Sequence, residues 1–219
     1  MIRVDPEKGV GVRLAHKSDD AEAAGDAMPI DALGSNEDAL AALQSGEANV
    51  LGGTAWLWSR PEFANAVDVL FVDEAGQMSL ANVLAVSAVA KSIVLLGDPQ
   101  QLDQPQKGSH PEGVNASALQ HILGGHQTIP SDRGIFLSVT WRLAPNICSF
   151  TSELFYERRL TSKPGLERQR LEGVGEFDGS GVWVVEVDHQ SNRNSSMEEV
   201  EVVADLVARF TAQGARWVD

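Results

Sequence analysis

Hydrophobic and polar positions along this chain switch between two periods, and each switch marks an element. Two near-continuous apolar runs, Val67 to Val72 and Ser92 to Leu96, are rich in Val, Ile and Leu and end in turn residues. Runs of this kind predict strands buried on both faces. Between them, Ser79 to Ala90 opens with a capping serine and continues in good helix formers. The resulting strand–helix–strand unit predicts two parallel strands whose C-terminal ends share one edge of a sheet.

The same reading extends in both directions. Residues 1–48 are an approach to the sheet, with a weak alternation over Gly9 to Leu14 and a short helix over Ser35 to Leu43, capped by Ser35 or Asn36. Asn49 to Trp58 reads as a strand running into a turn, with Trp56 and Trp58 as core or cover. Gln104 to Arg133 is polar, and a helix over Asn115 to Leu123 lies inside it. Ile135 to Val139 alternates as a strand. Pro145 suits a first helical turn, and Ile147, Phe150, Leu154 and Phe155 recur on one helical face. Leu160 to Asp178 reads as a loop and Gly181 to Val187 as a strand. Ser196 and Glu199 form a capping-box pattern ahead of an amphipathic helix bearing Val200, Val203, Leu206, Val207 and Phe210. Ala215 to Asp219 begins a further strand.

Composition changes this picture little. The chain has 219 residues, 43% hydrophobic and 22% charged, as ordinary globular proteins do. No run is long enough to span a bilayer, no signal-peptide pattern opens the chain, and the single Cys148 precludes an internal disulfide. A cytoplasmic protein without a membrane partner is the expectation, with Cys148 an inert buried thiol. His110, His121 and His126 lack the paired spacing of metal ligands. Charge is more informative. The net charge of −14 disfavours nucleic-acid binding by the chain alone. Only residues 141–173 are net positive, their six basic side chains outnumbering four acidic ones.

The candidate chemistry lies at the ends of the two apolar runs. Asp73 and Glu74 follow one, and Asp98 and Gln101 follow the other. Parallel strands would bring them to the edge where open α/β sheets bind ligands. One carboxylate there can hold Mg²⁺, and a second can orient or deprotonate a water. An amide on the next tip can bond a terminal phosphate, completing parts of a nucleoside-triphosphate hydrolysis site.

Three segments carry a family resemblance. Asp73-Glu74-Ala75-Gly76-Gln77 resembles motif II, the Walker B element, of superfamily 1 helicases. Gly97-Asp98-Pro99-Gln100-Gln101-Leu102 resembles motif III. Thr140-Trp141-Arg142-Leu143-Ala144-Pro145, with Ile147 and Phe155-Tyr156, resembles motif IV, which opens the second RecA-like domain. The order is that of the family, of the 1B type. Gly52 to Trp56 together with Asp73 to Val83 also resemble bacterial helicases fused to RecB-type nucleases, although no nuclease residue can be assigned.

The resemblance implies an α/β fold of the P-loop NTPase type, a RecA-like parallel sheet flanked by helices. Residues 1–140 would be the later part of a first domain, 141–180 the motif IV helix and linker, and 181–219 the start of a second. Asp73 would hold Mg²⁺ and Glu74 would activate the attacking water. Gln101 would sense the terminal phosphate of ATP, and Gln77 would couple it to motif II. Gly97 and Asp98 would complete the nucleotide-binding set, Asp98 bracing its turn. Arg142 would be an arginine finger; a structural ion pair is the alternative. Thr54 would touch the backbone of single-stranded DNA or RNA; a plain strand end is the alternative. Trp141-Arg142 departs from the family's commoner tyrosine-arginine pair.

None of the five lysines follows a glycine, so no Gly-Lys-Ser/Thr phosphate loop is present. The expectation is an internal piece of a larger ATP-dependent helicase or translocase, inactive alone and open to self-association through sheet edges. The rival expectation is a degenerate, non-catalytic α/β interaction or regulatory module.

Overall fold

A computed structural model describes residues 11–18, 30–101, 116–212 and 214. The chain is mixed α/β, with short parallel sheets and helices, and divides into two compact units that part at Gly125 and His126.

In the first unit, β1 (Leu14–Lys17) pairs in parallel with β2 (Ile30–Leu33) on one side and β3 (Val50–Gly52) on the other. The weak alternation thus precedes a real strand, which begins where it ends; Gly9 and Val10 lie outside the described residues. Helix α1 (Asn36–Ser45) starts where the Ser35 hydroxyl accepts the Asp38 N–H at 3.0 Å and stops at left-handed Gly46. Helix α2 (Ala55–Trp58) follows β3. β4 (Val67–Val72) and β5 (Ala90–Leu95) are parallel, with Val72 opposite Leu95. Between them runs α3 (Leu80–Val86), whose cap Ser79 accepts the Asn82 N–H at 3.3 Å.

One core joins these elements: Ala39 from α1, Leu57 and Trp58 from α2, Phe63, Leu70 and Val72 from β4, and Val86 and Val89. Trp58 meets Phe63 edge-on, with centroids 5.7 Å apart. The expectation that β4 and β5 are buried on both faces is corrected. Leu70 and Val72 are buried, but Val69, Phe71, Val94 and Leu96 on the alternate positions are exposed, Phe71 to 65%. Helices pack on one face only among the described residues, and an apolar run does not say how many of its faces are covered. Helix α4 (Ala118–Leu123) carries a complete capping box between Ser117 and Gln120; Asn115 lies outside the described residues.

The second unit holds β6 (Val139–Thr140) and β7 (Thr161–Ser162), a short parallel pair, with α5 (Pro145–Phe155) between them. Pro145 opens α5 as expected. Its buried stripe, however, is Cys148 and Ser152, whereas Phe150, Leu154 and Phe155 are exposed. The Ser152 hydroxyl accepts the Leu160 N–H at 3.0 Å, and Cys148 packs beneath the Leu160 carbonyl, so the returning strand selects that face. Ile135 and Leu137 precede β6 without pairing, and Gly181 to Val187 forms no strand. The apolar alternation there has no described neighbour with which to ladder. Helix α6 (Met197–Ala212) starts at Ser196, which accepts the Glu199 N–H at 3.2 Å. It rests Phe210 on Phe177 at 5.3 Å, with Val202 and Leu206 partly covered, whereas Val200, Val203 and Val207 of the expected stripe are exposed. The strand expected over Ala215 to Asp219 lies outside the described residues. No helix among the described residues is long and apolar enough to cross a membrane.

Candidate functional site

The edge formed by the C-terminal ends of β4 and β5 gathers six of the candidate residues. Because the strands are parallel neighbours, the chain leaving Val72 and the chain leaving Leu95 turn side by side. Backbone bonds lace the two tips together: the Leu96 N–H donates to the Val72 carbonyl and the Ala75 N–H to the Leu96 carbonyl, each at 2.8 Å. Beyond the lacing the backbones touch. A side chain on Gly76 would put its Cβ 2.2 Å from the Asp98 carbonyl oxygen, and one on Gly97 would come within 2.9 Å of the Ala75 nitrogen. Two tips this close leave room for glycine alone.

The side chains follow from that backbone. Asp73 turns its Oδ1 onto the Glu74 N–H at 3.0 Å, and Glu74 sits in the left-handed region with φ of 53°. Such a backbone is unusual for a residue with a side chain and is found at sites where neighbours hold it in place. Asp98 accepts the Gln100 N–H at 3.0 Å and so braces the turn that carries Gln101. The Gln77 amide donates to Gln101 Oε1 at 3.3 Å, joining the two tips through side chains as well. Asp73 and Glu74 are exposed, and Asp98 is half-buried.

Three carboxylates on two adjoining tips make an acidic rim. An anion would be repelled from it until a cation intervened. The donors are hard oxygens, some of them open to solvent, the chemistry of a hard cation such as Mg²⁺ held by one or two carboxylates and water. Among the described residues no group of three or more His, Cys, Asp or Glu side chains is arranged to hold a metal by itself.

The two remaining candidates lie apart from this edge in sequence. Thr54 is exposed in the turn after β3, at the cap position of α2, and its hydroxyl makes no capping bond. Arg142 belongs to the second unit, just after β6, where its N–H donates to the Thr140 hydroxyl at 3.2 Å. Beside it, Lys163 stands over the Trp141 ring at 3.4 Å from the centroid.

Sequence reasoning passed over Gly76, the glycine that admits the Asp98 carbonyl. Its signal is visible in retrospect, as a glycine placed at a strand tip where two backbones converge. Comparison with known proteins adds no family: no family model matches this chain, and no curated protein matches it.

Proposed function

We propose that this chain is part of the motor of an ATP-dependent superfamily 1 helicase or translocase, with a RecA-like sheet ending in the β4 and β5 tips. The observation that supports it most directly is the lacing of the Asp73–Gln77 and Gly97–Gln101 segments into one edge, with Gln77 bonded to Gln101. A shared edge is what a magnesium nucleotide spanning both tips requires.

In this reading Asp73 would hold Mg²⁺, whose charge would offset that of the phosphate tail. Glu74 takes a proton from a water as its oxygen bonds to the γ-phosphorus. The bond from that phosphorus to the β-bridging oxygen breaks, and ADP carries the electron pair away. Gln101 bonds the γ-phosphate and reports its loss to motif II through Gln77. Arg142 supplies positive charge to the transferring group, and Thr54 holds the nucleic-acid backbone.

The test begins by reading the gene in frame upstream of these residues for a Gly-Lys-Ser/Thr loop and uses the full protein it encodes. Glu74→Gln there is expected to lower ATP turnover by at least about 100-fold, the scale of removing a general base. Equal turnover in the variant, or the lack of any such upstream loop in the gene, would sink the motor reading. The 219-residue chain alone is expected to show no Mg-ATP turnover.

A further inference from the structure

Helix α2, a single turn that follows β3, carries a side chain that the motor reading leaves unused. Trp56 is 86% exposed, while its neighbours Leu57 and Trp58 are 3% and 8% exposed. The contrast is built into the backbone. Gly53 lies so close to Leu57 that a Cβ there would meet Leu57 Cδ2 at 2.5 Å. Leu57 and Trp58 are locked in the core with Phe63, and the Trp58 N–H and Leu57 N–H both return to the Thr54 carbonyl. Two anchored residues therefore hold a third, aromatic one out in water on a rigid turn. Leaving an indole in solvent forgoes roughly 2 kcal/mol of burial.

The surroundings indicate what such a ring can receive. A protein-interface anchor sits inside a ring of further apolar contacts that exclude water. Around Trp56, the exposed residues on the same turn are Thr54, Ala55, Ser59 and Arg60, which are small or polar. A nucleobase needs less: one free aromatic face, and a backbone contact nearby to set the spacing. The uncapped hydroxyl of Thr54 is two residues away.

We infer that Trp56 is a stacking platform for a base of a single-stranded nucleic acid, with Thr54 donating to the adjoining phosphate. The inference rests on the motor reading for the class of its partner and adds the residue that grips a base. It also gives a chain of net charge −14 a contact to a polyanion that needs no free cation. Stacking does not depend on phosphate neutralisation, whereas contacts by Lys and Arg do. Arg60, the cation of this turn, is paired with Glu62 at 2.5 Å. Binding through Trp56 is therefore weakly salt-dependent, with a log–log slope of about −0.7 or shallower, the value for one neutralised phosphate.

The test measures anisotropy of fluorescein-labelled oligothymidylate, oligouridylate and an abasic strand of equal length with the 219-residue chain. The unaltered chain is expected to prefer strands with bases, and the oligouridylate arm separates RNA from DNA. Trp56→Ala should weaken binding to them by roughly 5- to 100-fold and erase the preference over the abasic strand. Trp56→Phe should restore most of it. Equal affinity for base-bearing and abasic strands, no effect of Trp56→Ala, a steep salt slope or no binding would each overturn the inference. A Trp56-dependent dimer without strand affinity would do so too, assigning the ring to a protein interface. Strand binding through Trp56 in a protein whose ATP turnover ignores Glu74→Gln would sink the motor reading and leave the platform standing.

Discussion

Gly97 shows how much of the candidate site is decided by single atoms. Its φ of 149° lies where side chains rarely go, and the space a Cβ would fill is taken by the Ala75 and Gly76 backbone nitrogens. Gly97→Ala is therefore expected to cost about 1–3 kcal/mol of stability, the range for a strained backbone or an overpacked contact. Urea unfolding would register it as a lower midpoint, and exchange of the Ala75 amide should quicken in parallel. An unchanged midpoint would show that the tips can part freely. At this scale the sequence was partly legible. Asp73, Glu74, Asp98 and Gln101 stand out because they follow two apolar runs that a helix joins, so the spacing itself predicts a shared edge. Gly76 did not, since a glycine's purpose lies in what approaches it, and that partner is more than twenty positions away.

Among the elements, helix starts were read well and exposed faces poorly. Ser35, Ser79 and Ser196 each accept a backbone N–H within their own first turn, a local interaction that sequence spacing encodes. Which face of α5 is buried depends on Leu160 returning over Cys148 and Ser152, which no local pattern announces. Helix α6 gives a test of its own. Its first turn holds Glu198, whose carboxylate is kept below the ordinary value of 4.5 by its own backbone N–H and then by the Asn192 amide, with Ser196 adding to them. A carboxylate depressed by folding stabilises above its unfolded value and loses that contribution as pH falls through the folded one. Circular dichroism should therefore show helix content falling as pH drops below 4.5. Glu198→Gln should flatten that acid limb; an identical limb in both proteins would remove Glu198 from the account.

At the scale of the whole molecule, one side of the β4 and β5 pair is left exposed. Val69, Phe71, Val94 and Leu96 form an apolar patch along β4, β5 and the residue after it, beside edges that pair with no further strand among the described residues. Light scattering over a dilution series should reveal concentration-dependent association, reduced by Phe71→Ser; scattering independent of both would show the patch is inert. Neither the patch nor the division at Gly125 and His126 follows from periodicity, because both depend on which surfaces meet across long stretches of chain.

The lacing between the two strand tips has a mechanical meaning. A carbonyl that receives one amide while its own residue's amide grips the opposite strand works as a crossbar, not a hinge. Any tug on the Gln101 loop would reach Glu74 through stiff main chain, arriving as a shift of the whole rim instead of the swing of one side chain.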